Sequence, residues 1–388
     1  MAIENMTLSD FLKDAGVPLY KRAVADFLYG INAGRQRPDV PRNKTAHGWT
    51  FFTRPQLNLR TTNIRNTRLL YPLLNKNPVS IQRYVRVMLD PRLPFKLNVG
   101  PGRESFYKDD IVDCPIVDKY NAFIPLLTNT IKTFSGVPDE AVPTWTSSQG
   151  IRREQITMVD GTFEILEAYD ITCTFQNFAN NPIIMLFQAW ERYASYVFEG
   201  LLSPYWDFVI ENELDYNTRI YRITTGPDWE TIDQIFATGA SIPVSTPTGK
   251  FFDFDVTRPY SDQTTDINIV FKSVGAIIND DILLMEFNKA MAIFNPWIRK
   301  YMKGEDNMEV VPRELVKYVN FNCYPYIDTK EYKLKWLVPK SSATYQKLVD
   351  MYKKKDSDIE KASKNKEILN DSKITDVSDI PDLDANAW

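Results

Sequence analysis

The chain has one histidine, His47, and three cysteines, Cys114, Cys173 and Cys323, among 388 residues. Imidazole and thiolate groups carry much of the proton transfer, nucleophilic attack and metal ligation in enzymes, so their scarcity argues against catalysis. Three cysteines cannot all pair within one chain, and their long, irregular separations match no metal-binding spacing. We therefore expect buried thiols, and no catalytic residue, metal site or cofactor.

Long apolar runs are also lacking. A membrane-spanning helix needs roughly 18 to 20 apolar residues, and the densest stretches, Ile183 to Phe187 and Ile282 to Met285, are far shorter. The N-terminus, MAIENMTLSDFLKD, carries acids where a signal peptide has a basic flank and an apolar core. We expect a cytoplasmic product without membrane insertion.

Two short motifs imitate ligand sites. Gly100 and Gly102 flank a proline, which has no N–H donor, and no Lys-Ser/Thr pair follows, so this is not a phosphate loop. Asp280, Asp281 and Glu286 could surround a hard cation, but the acidic pair lies where a helix is predicted to begin. Helix capping and the helix dipole explain these acids without a metal.

Aromatic residues are plentiful: Trp, Tyr and Phe make up 13% of a chain that is 44% hydrophobic and 25% charged. Such side chains bury large areas in cores and in subunit contacts. The length is sufficient for two or three hydrophobic cores. The composition therefore favours a folded structural protein over an enzyme.

Charge is unevenly distributed, although the net charge is only −4. Residues 21–104 contain sixteen lysines and arginines and four acids, a local balance of +12 that leaves −16 for the rest. Such polarity favours head-to-tail or layer-on-layer assembly, because a basic surface of one copy can face an acidic surface of another. Nucleic-acid binding is the alternative, but no nucleic-acid module is recognisable. Candidate contact residues in this basic quarter are Arg35, Arg37, Arg42, Arg60, Arg65 and Arg68.

Residues 1–150 are predicted to form a basic region of helices and long loops. A capping box predicts a first helix that begins near Thr7. Apolar periodicity predicts further helices at 19–30, 79–89 and 120–134, and a strand at 49–53. Pro138, Pro143 and Gly150 then mark the boundary to the next region.

Residues 151–300 are predicted to form a β-rich domain with one packed helix. Ile171, Cys173 and Phe175 alternate with polar residues, the pattern of a strand with one buried face. An apolar stripe at helical spacing predicts an amphipathic helix at 182–200. Further strands are predicted at 218–224, 234–243, 250–256 and 266–276, and a helix at 280–291. This combination indicates an α+β fold with a sandwich-like or barrel-like sheet.

Residues 301–344 are predicted to form an aromatic-rich extension, and residues 345–388 a charged C-terminal arm. From Glu367 onward there are six acids and a single lysine, with too few apolar residues for a core of their own. We expect this tail to dock on a neighbouring copy or another protein, with its acids opposite the basic quarter. Its apolar contacts would be Ile374, Ile380, Leu383 and Trp388.

Three stretches carry a resemblance to a known family: DGTFEILEAYDITCTFQNFANNPIIMLFQAWERYASYV (160–197), FATGASIPVSTPTGKFFDF (236–254) and INIVFKSVGAIINDDILLMEFN (267–288). A charged strand, a small-residue turn and a Trp-bearing helix are followed by strands that end in a VGA turn and an acidic link. In this order the region resembles the tube-type proteins of long-tailed and contractile bacteriophages and the tube-like rings of their baseplates. The regions before residue 150 and after residue 300 lie outside the resemblance.

The resemblance implies a tail-tube-like β-sandwich or barrel with a packed amphipathic helix, whose copies form a ring, commonly sixfold, around a channel. We therefore expect a homo-oligomeric structural component of a virion, made in the host cytoplasm, that builds or caps the DNA-ejection conduit. Other virion proteins would be its neighbours, and genomic DNA would pass transiently. Two alternatives stay open: a capsid, neck or baseplate-wedge protein, and a nucleic-acid-binding protein that uses the basic quarter.

Overall fold

The computed structural model describes residues 48–95, 111–253, 256–257, 259, 265–316 and 323–351. The chain divides into two compact units, one within Met1–Asn295 and Ile327–Leu334 and the other within Pro296–Tyr326 and Lys335–Trp388. No helix in the described part of the chain combines the length and apolar composition needed to cross a membrane.

The first unit is built on a six-stranded antiparallel sheet. Its strands are β1 (Trp49–Phe52), β2 (Ile131–Ser135), β5 (Ile165–Gln176), β6 (Ile220–Thr225), β7 (Ile232–Ser245) and β8 (Asp266–Ile278). Their spatial order is β1-β6-β7-β8-β5-β2. A separate hairpin pairs β3 (Thr144–Thr146) with β4 (Thr157–Val159).

Six helices in the described part of the first unit surround or connect these strands. They are α1 (Thr61–Ile64), α2 (Ile81–Leu89), α3 (Pro125–Thr130), α4 (Pro182–Phe198), α5 (Trp206–Glu211) and α6 (Ile282–Phe294), with short 3-10 turns at Tyr71–Leu74 and Gly249–Phe251. Mixed helices and antiparallel strands make the described chain an α+β protein, as predicted.

The rest of the described chain contains α7 (Pro296–Tyr301), β9 (Met308–Val310), α8 (Arg313–Val316), β10 (Tyr324–Asp328) and β11 (Lys333–Pro339). Helical residues 343–351 follow. These strands form a second sheet in the order β10-β11-β9. Val311, Val338 and Leu348 form a small core in the second unit.

The main core lies between β5, β8 and α4. Ile171, Cys173 and Phe175 of β5 are fully buried, which confirms the predicted alternation. Helix α4 lies across them and contributes Phe187 and Trp190, whose rings stack at 6.2 Å between centroids. Asn181, in a left-handed conformation, precedes Pro182 at the first position of α4, where a missing N–H costs no helical hydrogen bond.

The six-stranded sheet is strongly curled. In a flat sheet β1 and β5 would be four spacings of about 4.8 Å apart, or about 19 Å. Instead the rings of Phe52 in β1 and Phe175 in β5 approach to 5.8 Å between centroids. At the free edge of β1, Thr53 bridges to Phe123, and β2 begins at the opposite edge only eight residues later, at Ile131. The sheet therefore wraps around its own aromatic core.

A second aromatic cluster occupies the other face of β1. Successive residues of a strand point to opposite faces, so Phe51 faces away from the core that holds Phe52. The Phe51 ring lies 5.1 Å from Phe287 of α6, which also contacts Phe123 at 4.8 Å and Tyr221 at 5.3 Å between centroids. Helix α6 is packed on the sheet by these rings.

The helices predicted near Thr7 and at 19–30 lie outside the described residues. Most of the other predicted elements are present, but two predictions were wrong. The helix predicted at 120–134 is confined to Pro125–Thr130, and the residues after it form β2 along the edge of β5. Pairing with β5 satisfies backbone groups that a longer helix would have bonded internally. The Ile and Thr residues of β2 also favour a strand because they are β-branched. The predicted strand at 250–256 is a 3-10 turn in its described residues, and Phe252 is 86% exposed.

We expect Phe52→Ala to destabilise the first unit by about 3–5 kcal/mol, because the ring is fully buried between β1, β5 and β8. Urea unfolding followed by tryptophan fluorescence measures this. Phe252→Ala, at the 86% exposed position, is the matched control and should shift stability by less than about 0.5 kcal/mol. Equal losses in the two variants would contradict the assigned core.

Candidate functional site

Residues 136–164, which connect β2 to β5, leave the sheet as an extended segment that we call the arm. None of its side chains is buried, although the β3–β4 hairpin at its centre is a regular antiparallel pair. A two-stranded hairpin without a core is marginally stable by itself. Eight large apolar side chains of the arm are exposed: Val137, Val142, Trp145, Ile151, Ile156, Met158, Val159 and Phe163.

The tip of the arm has a defined turn. The Ser147 N–H donates to the Ile156 carbonyl at 2.8 Å, and the Gly150 N–H donates to the Glu154 carbonyl at 3.0 Å. Between them, Ile151 is completely exposed, at 102% of its reference area. Arg152 and Arg153, also exposed, are the only basic residues of the arm. The tip therefore combines an apolar side chain with two arginines and one acid, Glu154.

A second exposed apolar area lies on residues 198–214, which we call the α5 surface. Helix α5 has no buried residue, and Trp206 is 79% exposed. The exposed apolar side chains of this surface are Phe198, Leu201, Trp206, Val209, Ile210 and Leu214. The segment contains four acids, Glu199, Asp207, Glu211 and Glu213, and no lysine or arginine.

Polar contacts hold the α5 surface in place. Two guanidinium nitrogens of Arg92 donate to the Asp207 carboxylate at 2.9 and 2.6 Å, and these bonds hold the pKa of Asp207 below its usual value. The same guanidinium lies 4.6 Å from the Tyr205 ring and 5.2 Å from the Phe208 ring. The Asn58 side-chain amide donates to the Ser203 carbonyl at 2.9 Å. This short helix is thereby fixed with its apolar side outward.

Two buried carboxyl groups lie beneath this surface. The Tyr205 hydroxyl donates to Asp90 at 2.8 Å, and the Tyr193 hydroxyl donates to Asp215 at 2.5 Å. Asp90 also accepts from the Leu59 N–H at 2.9 Å. Burial outweighs these hydrogen bonds and raises the pKa of Asp90 and of Asp215 to about 6.

A cavity of about 430 Å³ beside the α5 surface is lined in part by Phe208 and Leu214. Two of its cations have partners within the fold. Arg219 pairs with Glu286 at 2.7 Å. Arg54 donates to three backbone carbonyl oxygens, two of them at the C-terminal end of α2, and burial lowers its pKa to about 10. These groups serve the packing of the first unit.

The three acids that could have surrounded a cation, Asp280, Asp281 and Glu286, each have a different hydrogen-bond or ion-pair partner. Asp280 accepts from the Ile282 N–H at 2.9 Å, as a residue at a helix start does. The Tyr332 hydroxyl donates to Asp281 at 3.2 Å, whereas Glu286 pairs with Arg219.

Only three of the contact residues predicted from sequence are described. Arg60 lies with its guanidinium 5.0 Å from the Tyr205 ring, near the α5 surface. Arg65 and Arg68 are exposed after α1. The remaining ones lie outside the described residues: Arg35, Arg37, Arg42, Ile374, Ile380, Leu383 and Trp388.

Sequence reasoning missed both exposed surfaces. The stretch WDFVIENEL (206–214) holds five large apolar residues and three acids, a composition that could have indicated an exposed apolar helix. The arm has a weaker signal, because its strands are only three residues long.

A family model described as "Putative phage tail tube protein" matches residues 4–355. The chain belongs to this tail tube family and is a structural protein of the phage tail, as the sequence resemblance implied. No match exists among curated proteins.

Several solved structures share weak similarity with this chain, among them a tube-terminating cap and a sheath/tube terminator. The anti-feeding prophage cap, the AFP tube terminating cap, is 15% identical with a TM-score of 0.24, over 40% of this chain and 81% of that chain. The PVC sheath/tube terminator of an extracellular contractile injection system, in the extended state, is 13% identical with a TM-score of 0.23. That match covers 41% of this chain and 87% of the other. Similarity at this level carries no argument about assembly.

The buried carboxyl groups predict a pH dependence of stability. With a folded-state pKa of about 6 against an ordinary 3.8, Asp90 and Asp215 bind protons more tightly in the folded than in the unfolded chain. The stability that these two carboxyl groups contribute to the fold is therefore greatest below about pH 4 and is lost as the pH rises to about 6. Relative to the wild type, Asp90→Asn should gain stability between these pH values in urea unfolding.

Asp207→Asn is the matched control with the opposite sign. Because Arg92 lowers the pKa of Asp207, that carboxylate stabilises the fold above about pH 4, so its loss should cost most at neutral pH. The same direction of change in both variants would contradict the assigned electrostatics.

Proposed function

We propose that this chain forms homo-oligomeric rings that build or cap the DNA-ejection conduit of a phage tail, with other virion proteins as its neighbours. The observation that carries the proposal is the arm, which exposes eight large apolar side chains and buries none of them in its own subunit. Monomeric proteins rarely expose apolar patches of this extent. A second copy, brought close by ring formation, is the partner that would cover them.

The outer face of the curled sheet supports a channel lining. On β5 and β8 this face carries Asp170 and Lys272, which pair at 2.8 Å. At the next edge Lys132 of β2 pairs with Asp266 at 2.5 Å. Cations that are already neutralised attract phosphate weakly, so a water-filled channel lined by this face would not retain DNA. In a sixfold ring, the arrangement implied by the family resemblance, such faces would together surround the opening.

The alternative of nucleic-acid binding has less support from the described basic quarter. Arg54 and Arg86 are each only 4% exposed. They donate to backbone carbonyls, Arg54 at the end of α2 and Arg86 to Leu59. Arg83 likewise donates to the Asp113 carbonyl at 2.7 Å. These guanidinium groups organise the subunit and do not present a basic surface to phosphates.

Electron microscopy over a concentration series, with mass determination in parallel, tests the proposal. We expect open rings or stacks from the wild type and a loss of assembly in a Trp145→Asp/Met158→Asp double variant. Thermal stability should stay within the range of surface substitutions, because both side chains are exposed on the arm.

Phe252→Asp is the control, because it places the same charge at an exposed apolar position outside the arm. A wild type that stays monomeric at every concentration would refute ring formation by this chain alone. Normal rings from the double variant would show that the arm is not needed for assembly.

A further inference from the structure

The arm and the α5 surface lie at opposite ends of the curled sheet. Every neighbouring pair along β1-β6-β7-β8-β5 is antiparallel, so β5 runs parallel to β1 and opposite to β6. The arm leads into the start of β5, whereas the α5 surface precedes the start of β6. Consistent with this, Gln56, which follows the end of β1, donates its N–H to the Asp215 carbonyl at 3.0 Å.

The two surfaces also have complementary chemistry. The arm tip presents Ile151 within a hydrogen-bonded turn, and its charges are Arg152, Arg153 and the acid Glu154, which leaves the tip with a single net positive charge. The α5 surface presents Trp206 and Ile210, with Glu211 and Glu213 exposed at the C-terminal end of the helix. Apolar contact would bury area on both sides, and the opposite charges at its edge would select the register.

Hydrogen bonds within the subunit define the shape of each surface. The tip is closed by backbone hydrogen bonds around Gly150, and α5 is held by the Arg92–Asp207 pair and by Tyr205. Preorganised partners lose less conformational entropy on binding than flexible ones. A helix that exposes its apolar side under such restraint is suited to receive a partner without rearrangement.

We propose that the arm tip of one copy docks on the α5 surface of the next copy, joining subunits end to end. The inference rests on the proposed homo-oligomeric function and names the contact between successive layers. Complementary patches at opposite ends make a heterologous contact, which does not close on a pair and continues from copy to copy. Neither surface could satisfy the other within one subunit, because the sheet separates them.

Disulfide trapping tests the contact on the full chain. Ile151→Cys and Ile210→Cys are made as separate variants, mixed under assembly conditions and oxidised. We expect a cross-linked dimer in the mixture that is at least tenfold more abundant than in either variant alone. The single variants measure the background from the native Cys114, Cys173 and Cys323. Phe252→Cys replaces Ile210→Cys in the control mixture, which should stay at background.

Exchanging the charges of the two surfaces distinguishes a specific contact from cross-linking by random collision. Arg152→Glu/Arg153→Glu and Glu211→Lys/Glu213→Lys should each weaken stacking at least several-fold, and the two variants mixed should recover it. Rings that form normally but give no cross-link would overturn this contact and leave the proposed function standing. A wild type that never assembles would overturn both proposals. Cross-linking within one chain, seen in an Ile151→Cys/Ile210→Cys double variant at high dilution, would also overturn the end-to-end contact.

Discussion

The contact of Phe52 with Phe175 and Phe271 is the interaction on which the rest of the first unit depends. These rings join the edge strand β1 to β5 and β8 and thereby curl the sheet around Phe187 and Trp190. The curl brings the two edges close enough for α3 to connect them and places the paired charges of β5 and β8 on the outside. Without it, the apolar face of six strands would need a second layer much larger than α4.

Polar groups have a different task in this subunit: they determine where segments outside the sheet lie. Arg54 and Arg86 bind carbonyls around α2, and Asp90, Arg92 and Tyr205 connect that helix to α5. A buried carboxyl with a raised pKa is costly at neutral pH, yet the network determines one arrangement of α5, which apolar contacts alone would leave variable. Stability is thus given up in exchange for a defined outer surface.

Sequence periodicity correctly predicted the elements that bury one face against the main core. The alternation in β5 and the stripe of α4 are readable because each element buries one face against the same core. The strand β2 was missed because its conformation comes from pairing with β5, which lies far along the chain. The apolar periodicity of a short segment carries no information about such a distant partner. The basic quarter was counted correctly, but a count cannot tell that Arg54 and Arg86 point inward. The arm and helix α5 bury none of their side chains, so neither has the core-facing pattern from which a buried element is predicted.

The arm and the α5 surface lie at opposite ends of the sheet, so the subunit has a polarity. Any column built from it would end in free arms on one side and in uncovered α5 helices on the other, so its two ends would be chemically unlike. Growth could then differ at the two ends, and a protein that stops one end could not stop the other. A directed particle such as a phage tail, with a head at one end and a host-facing tip at the other, requires this asymmetry of its parts.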